Sequence, residues 1–280
     1  MKRFLTIAAL LAVSIFCDAA PKKETNTLTV ISFNIRNSKA KDGTNSWEYR
    51  YPATFAMIEE QKPDIMGLQE ARENQLGMLN YYFDKKYRYV GVGRDDGKKE
   101  GESTAIFFNK KTISLIKWGT FWLSPTPTKP GFGWGATHNR TATWAIVKHK
   151  KSGKKFFYIN THLDHQSFEA QVMGMDLIKE KIKELNPKGY PCIFTGDFNV
   201  DPNNPVVKEL DKQMSSARKF AAKTYTTPSS NGWGKKQETI DYIYYSGFEK
   251  DPVLFETITK KYVERPFVSD HYPIKAVFEF

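Results

Sequence analysis

Residues 192–199 place a glycine, a carboxylate, an aromatic ring and an amide directly after a short apolar run. The run is typical of a buried β-strand, and Gly196 allows the backbone to turn where that strand ends. Because Asp197 and Asn199 are two residues apart, an extended backbone directs both side chains to the same side. The segment predicts a polar site at a strand terminus, although a simple turn built on glycine, aspartate and asparagine also fits it.

The overall composition is that of a globular protein with a basic surface. The chain has 280 residues, 40% of them hydrophobic, and a formal net charge of +11. This charge favours anionic partners, such as nucleic acid, a phospholipid surface or phosphorylated small molecules, without choosing among them. No obligate protein partner is indicated, and a monomer is expected.

The first 19 residues have the pattern of a secretory signal peptide. A basic start is followed by an apolar run over residues 4–16 that is too short to span a bilayer. Cleavage after Ala19 predicts an exported protein. A lipoprotein anchored through Cys17 is the weaker alternative, because the preceding Phe16 is bulky. Cleavage would leave Cys192 as the only cysteine, which we expect to be a buried structural thiol.

Beyond the signal peptide, residues 20–27 are expected to be a polar leader and residues 28–280 to form one domain. Strand-like segments outnumber helical ones, which predicts an α+β fold with two packed sheets flanked by helices. The predicted strands are 28–35, 65–69, 87–92, 103–109, 114–121, 141–149, 156–161, the run before Gly196, 239–245, 253–259 and 272–280, and the predicted helices are 47–60, 74–82 and 167–184.

A turn-rich segment over residues 123–139 carries several prolines and glycines, with Trp122 at its start and Trp134 within it. Long aromatic loops of this kind often bind ligands. Burial of the tryptophans, pinning the loop to the body of the protein, is an equally good interpretation.

Polar residues recur at the ends of the predicted strands. Besides Asp197 and Asn199, they are Asn34, Gln69-Glu70, His162 and Ser269-Asp270-His271. Taken singly, each has an ordinary structural role as a turn residue, a helix cap, a core histidine or a surface pair. Asp241 is harder to explain, because it interrupts an apolar strand and an unpaired buried carboxylate is costly. It needs a partner, and a histidine would serve.

This ordered set resembles the endonuclease/exonuclease/phosphatase superfamily of DNase I-like proteins, here a secreted bacterial-type member, over residues 28–280. The resemblance implies a four-layered α/β sandwich with two mainly antiparallel sheets. It also implies phosphoester hydrolysis assisted by Mg²⁺, with Mn²⁺ or Ca²⁺ as alternatives. By resemblance, Glu70 is the main metal ligand, Asn34 assists and Asp270 is a further ligand.

The resemblance also assigns roles to the remaining residues. Asp197 would orient or deprotonate the attacking water, and Asn199 would bind a phosphoryl oxygen. His271, held by Asp241, and His162 would contact the phosphate from opposite sides. Glu102 is expected to support His162. Arg36, two residues beyond Asn34, and Arg140, which follows the tryptophan loop, are candidate substrate-binding residues.

We expect a phosphodiesterase, with the substrate left open. A secreted nuclease agrees with the net charge, and a sphingomyelinase-like lipid phosphodiesterase agrees with export and with the exposed aromatic residues expected in the loop. A small-molecule phosphatase requires neither feature. A catalytically silent binding protein is the non-enzymatic alternative, although such proteins lose acidic and histidine residues that are all present in this sequence.

Overall fold

The computed structural model describes residues 26–280, so the predicted signal peptide lies outside the described residues. The strands are β1 Thr27–Asn34, β2 Ile65–Gln69, β3 Tyr87–Val90, β4 Ile106–Asn109, β5 Ile113–Trp122, β6 Thr141–His149, β7 Lys155–His162, β8 Cys192–Asp197, β9 Ser215–Ser216, β10 Thr224–Tyr225, β11 Asp241–Ser246, β12 Leu254–Thr257 and β13 Ile274–Glu279. The α-helices are α1 Trp47–Gln61, α2 Glu73–Tyr82, α3 Phe168–Leu185, α4 Pro205–Leu210 and α5 Ala217–Phe220.

The strands form two sheets. The seven-stranded sheet has the order β10-β12-β13-β1-β2-β4-β3, and the six-stranded sheet has the order β5-β6-β7-β8-β11-β9. Most neighbouring strands are antiparallel, whereas β1–β2, β7–β8 and β10–β12 are parallel. The predicted two-sheet α+β architecture is therefore confirmed.

Three apolar clusters separate the layers. Between the two sheets, Val30 and Ile106 of one sheet pack in the same cluster as Tyr158 and Ile193 of the other. The outer face of the first sheet is covered by α1 and α2, and that of the second by α3 and α4. Each large side chain removed from water in this way stabilises the fold by about 1.5–3 kcal/mol. The resulting order of helix, sheet, sheet and helix is the four-layered sandwich.

The long predicted elements are present with ends shifted by a few residues. The predicted strand over 103–109 begins only at Ile106, since Ser103 instead forms an isolated bridge with Ala71. Helix α3 begins after Ser167, whose hydroxyl accepts a hydrogen bond from the Ala170 amide. The short elements α4, α5, β9 and β10 were not predicted. Within residues 26–280, no helix is long and apolar enough to cross a bilayer.

Strand pairing collects the polar strand ends at one edge of the sandwich. The parallel pair β1–β2 aligns Asn34 with Gln69, immediately before Glu70. The parallel pair β7–β8 aligns His162 with Asp197, and antiparallel β11 places Asp241 opposite the same Asp197. Because the two sheets are stacked, residues from both converge on one cleft.

Candidate active site

Glu70 lies directly beyond β2 and is fixed by two asparagines. Its backbone has a φ of 60°, an unusual conformation for a residue other than glycine. Asn34 Nδ2 donates to Glu70 Oε1 at 3.0 Å, and both Asn37 N and Asn37 Nδ2 donate to Oε2 at 3.0 and 3.1 Å. Burial alone would raise the pKa of Glu70, but these hydrogen bonds bring it below its ordinary value. Glu70 is therefore held as an oriented carboxylate.

Asn34 connects Glu70 to Asp197. The same Asn34 amide nitrogen donates to Asp197 Oδ2 at 2.9 Å, while Asn34 Oδ1 accepts from the Arg36 amide at 3.0 Å. Turning the amide over would aim its oxygen at two carboxylates, so this network fixes its orientation. The sequence assigned Asn34 to metal binding; in this arrangement it positions two carboxylates and has its oxygen engaged by backbone.

Asp197 is the central acid of the cleft. Besides the hydrogen bond from Asn34, Asp197 accepts one at Oδ1 from the backbone amide of Asn199, at 2.9 Å. Burial raises the pKa of Asp197 to about 7, with a further contribution from the nearby Asp241 carboxylate. A carboxyl group with this pKa is suited to exchange a proton with water near neutral pH.

His271 lies between the two aspartates. Its Nδ1 is 2.8 Å from Asp241 Oδ2 and 3.8 Å from Asp197 Oδ2. Burial alone would lower the pKa of His271, but the Asp241 and Asp197 charges raise it well above its ordinary value. Asp241 thus has the histidine partner that its burial requires, and His271 is held as an imidazolium.

His162 also lies close to Asp197, with Nε2 3.6 Å from Asp197 Oδ2. Its Nδ1 has no hydrogen-bond partner among residues 26–280. The predicted support from Glu102 is not formed, because Glu102 Oε2 accepts from Arg94 Nη1 at 2.6 Å. Arg94 thus takes up the carboxylate that the sequence assigned to His162.

Arg36 and Asp270 form the entrance beside Glu70. The Arg36 guanidinium makes two hydrogen bonds to Asp42, at 2.9 and 3.0 Å, and its Nη1 is 3.5 Å from Asp270 Oδ2. Burial raises the pKa of Asp270, and repulsion from Glu70 contributes. The hydroxyl of Ser269 donates to Asn34 O at 2.8 Å, which joins this loop to the end of β1.

The other two sequence candidates also line the cleft. Arg140 is 5% exposed. Its Nη2 lies 2.9 Å from His165 Nδ1, and its Nε lies 3.6 Å from Asp164 Oδ2. Asn199 has a φ of 54°, and its Nδ2 donates to Leu163 O at 3.0 Å. The Asn199 side chain is therefore already engaged by backbone.

The cleft has a volume of about 990 Å³, which is within the range of small-molecule sites. Neither Trp122 nor Trp134 lines it. Trp122 is buried, and its indole nitrogen donates to Arg94 O at 2.7 Å. For Trp122, this agrees with the interpretation that a buried tryptophan pins the loop to the body of the protein. His138, near the end of that loop, does line the cleft.

Sequence reasoning missed several residues that line the cleft. Asn37, Arg94 and Trp233 are among them. Asn37 follows Asn34 in the same polar stretch and could have been included. Trp233 is flanked by Gly232 and Gly234, a signal of a turn that presents an aromatic ring, whereas nothing near Arg94 indicates its pairing.

Two groups of residues could hold a cation. Glu70 and Asp270 offer oxygen atoms only, which is the donor set that Mg²⁺ prefers. A divalent cation between them would offset the repulsion that raises the pKa of Asp270. Asp197, Asp241 and His271 also offer ligand atoms within 4.8 Å of one another. In that group, however, a cation would displace the proton that His271 shares with Asp241.

Comparison with known proteins identifies the group to which this fold and site belong. The family model described as Endonuclease/Exonuclease/phosphatase family matches residues 31–271. The chain belongs to this family. The match covers every residue that lines the cleft and all of the strands except the start of β1 and the whole of β13.

Relatives of the chain include a mannosyl-6-phosphatase and a sphingomyelinase. The solved structure of a mannosyl-6-phosphatase from Bacteroides thetaiotaomicron is 33% identical, with a TM-score of 0.84, and the match covers 90% of this chain and 99% of that one. Nocturnin from Homo sapiens is 26% identical over 71% of this chain and 49% of its own length. Sphingomyelinase C 2 from Leptospira interrogans is 25% identical over 75% of this chain and 39% of its own. The chain thus spans about half or less of these two curated relatives.

Proposed function

We propose that this protein is a divalent-metal-dependent phosphatase that removes phosphate from a phosphorylated sugar. The observation that carries the proposal is the lining of the whole cleft, with the carboxylate and histidine cluster included. It contains seven aspartates and glutamates but only four lysines and arginines, although the whole chain is basic. An acidic lining disfavours a groove for a nucleic-acid backbone, which requires phosphate-neutralising side chains.

The same lining suits a leaving group rich in hydroxyls. Asp201, Asn204 and Glu238 line the cleft and offer oxygen acceptors. Trp233, in the same wall, offers an apolar ring face against which a sugar can pack. The mannosyl-6-phosphatase relative, which matches nearly its whole length, supports a sugar phosphate over the phosphodiester that the sequence favoured.

The proposed reaction is attack of water on phosphorus. The water oxygen forms a bond to phosphorus, and the ester oxygen leaves with its bonding pair and takes up a proton from solvent. Asp197 orients the water and accepts its proton. His271, protonated on both ring nitrogens, donates one hydrogen bond to Asp241 and has the other for a phosphoryl oxygen.

We propose that Glu70 and Asp270 hold a Mg²⁺ ion. When bound, the ion supplies Lewis-acid stabilisation of charge on the phosphoryl oxygens. Asn34 and Asn37 keep the Glu70 carboxylate oriented. Arg36 pairs with Asp42, and its Nη1 lies 3.5 Å from Asp270 Oδ2. This ion pair limits the rotation of the Asp270 side chain.

The test is phosphate release from a substrate panel by the purified protein, with Mg²⁺ and with EDTA. The panel contains mannose 6-phosphate, glucose 6-phosphate, a bis-aryl phosphodiester, sphingomyelin and plasmid DNA. We expect Mg²⁺-dependent release from sugar phosphates. Cleavage of plasmid or sphingomyelin without action on any sugar phosphate would contradict the proposal. A Glu70→Gln variant controls for contaminating phosphatases.

Export remains a proposal that rests on the sequence of residues 1–19. Sugar phosphates outside the cell are a chemically reasonable target for an exported phosphatase. N-terminal sequencing of protein from the extracytoplasmic fraction tests it. A new N-terminus after Ala19 is expected, and an intact Met1 in cytoplasmic protein would contradict it.

A further inference from the structure

A small cavity of about 10 Å³ is lined by His162, and several of its lining residues carry buried polar atoms without hydrogen-bond partners in the described part of the chain. Four of the residues that line it each carry one buried side-chain atom with no hydrogen-bond partner within residues 26–280. The atoms are Arg94 Nε, Ser103 Oγ, Arg140 Nε and His162 Nδ1. A volume of about 10–15 Å³ accommodates one water molecule, and a buried water typically makes about three hydrogen bonds, within a range of about two to four. The cavity therefore has both the size and the polar lining of a water site.

We propose that one water molecule binds in this cavity and fixes His162 as the neutral tautomer that carries its proton on Nε2. The proposal follows from the donors and acceptors around the cavity. The Nε–H groups of Arg94 and Arg140 can only donate, and in the proposed arrangement they donate to the two lone pairs of the water, although Arg140 Nε also lies 3.6 Å from Asp164 Oδ2. The water then has two hydrogens to donate, and the proposal gives them to Ser103 Oγ and His162 Nδ1, the two unpartnered atoms that can accept.

The position of Glu102 explains why the water takes this role. A carboxylate at Nδ1 would accept a proton from that nitrogen, but Glu102 is bound to Arg94 at 2.6 Å. Burial, together with the positive charges of Arg140 and Arg94, also lowers the pKa of His162 well below its ordinary value. A neutral ring that accepts at Nδ1 agrees with this electrostatic environment.

The tautomer determines what His162 does in the cleft. Its Nε2–H lies on the side of Asp197, with Nε2 3.6 Å from Asp197 Oδ2. In the reaction proposed above, on which this step rests, His162 would donate a hydrogen bond to the phosphoryl group and would not act as a base. Arg94 and Ser103 are then positioning residues, because they act on the substrate only through the water and His162.

Nitrogen-15 NMR of the purified full chain with labelled histidine tests the tautomer directly. The chain has five histidines, and the His162 signals are assigned by their loss in His162→Gln. We expect Nδ1 to give the signal of an unprotonated ring nitrogen and Nε2 that of a protonated one at neutral pH. The opposite tautomer, or an imidazolium, would overturn the proposal.

Arg94→Met removes one donor to the water and releases Glu102. We expect His162 to shift to the tautomer protonated on Nδ1, while Arg88→Met, a change at an exposed arginine of β3, leaves the signals unchanged. Unchanged signals in a folded Arg94→Met protein would overturn the proposal. The matching kinetic expectation is a kcat about 10²-fold lower, the usual effect of removing one transition-state donor.

A high-resolution crystal structure of the unmodified protein decides the question if the variant does not fold. An ordered water within hydrogen-bond distance of His162 Nδ1 and of a guanidinium Nε is expected. A direct Glu102 contact to Nδ1 would overturn the proposal. If no sugar phosphate is hydrolysed, the proposed function fails, but the NMR and crystallographic results still decide the tautomer.

Discussion

The two histidines of the cleft are both buried but have opposite electrostatic environments. His271 is 2.8 Å from Asp241 and its pKa is raised well above the ordinary value. His162 is surrounded by Arg140 and Arg94, and its pKa is lowered. Burial disfavours the charged form of both rings, so the sign of the neighbouring charges makes the difference. The same residue type, histidine, thus has a raised pKa at position 271 and a lowered pKa at position 162 of one cleft.

The largest effect is expected from removing the proposed cation or its main ligand, Glu70. Chelation with EDTA, or Glu70→Gln, should lower the hydrolysis of sugar phosphates about 10³-fold, because the charge on the phosphoryl oxygens loses its stabilisation. Phosphate release with and without added Mg²⁺ measures it. Glu48→Gln, at an exposed position of α1, is the matched control. Full activity in EDTA would show that the cleft works without a cation.

Replacing each histidine separately tests the difference between the two walls. We expect His271→Gln to lower kcat about 10³-fold and His162→Gln about 10²-fold, because only His271 loses a full positive charge. Steady-state kinetics on the best sugar phosphate gives both values. Equal losses, or a larger loss in His162→Gln, would contradict the assigned charge states.

Asp241→Asn removes the charge beside His271 but keeps an oxygen that can accept from Nδ1. Asp241 raises the pKa of His271, so its loss should lower that pKa and leave less imidazolium at neutral pH. We expect kcat to fall about 10-fold at pH 7, with partial recovery as the pH is lowered. The alkaline limb of the pH profile should move to lower pH. Asp176→Asn, in exposed helix surface, should leave the profile unchanged, and a shift to higher pH in Asp241→Asn would contradict the expectation.

The wall that carries His271 also depends on a buried arginine. Arg50 is 1% exposed and donates to the carbonyls of Asn45, Val268 and Arg36, which joins two loops of the site. Arg50→Lys should lower the free energy of unfolding by about 2 kcal/mol, since lysine cannot reach three carbonyls at once. Urea unfolding monitored by circular dichroism measures this, with Arg88→Lys as control. A loss below that of the control would show that the loops are held by other contacts.

The smallest effect is expected for a residue that does not line the cleft. Phe132, in the turn-rich loop, is 61% exposed and does not line the cleft. Phe132→Ser should change the free energy of unfolding by less than about 0.5 kcal/mol and leave hydrolysis of soluble sugar phosphates unchanged. Binding of both proteins to sphingomyelin vesicles is measured in parallel. Vesicle binding by the unmodified protein that is lost in the variant would favour the lipid phosphodiesterase alternative.

The sequence was informative wherever a contact follows from a short pattern. The apolar strands, and the polar residues that end them, could be read because side chains alternate and backbone turns need particular residues. Asp241 could be recognised as needing a partner, because a buried carboxylate in an apolar strand is costly. These arguments require only neighbours along the chain.

Pairing between distant side chains could not be read in this way. Glu102 was assigned to His162 by resemblance, yet it contacts Arg94, which is eight residues away along the chain. Asn34 is expected by resemblance to assist at the metal, which stays a prediction, and the pairing of its amide nitrogen with Glu70 and Asp197 could not be read from the sequence. Both outcomes depend on which of several equally suitable polar groups the fold brings within about 3 Å.

The sequence by itself therefore determined the architecture, the family resemblance and the set of residues at the strand ends, since each follows from local periodicity and residue type. Only the tertiary structure decided the direction in which the pKa of each of the two histidines is shifted. A histidine has nearly the same intrinsic pKa wherever it lies in a chain, and its protonation is set by burial and by charges that arrive from other strands. Asp241 brings a negative charge to His271, and Arg94 and Arg140 bring positive charges to His162.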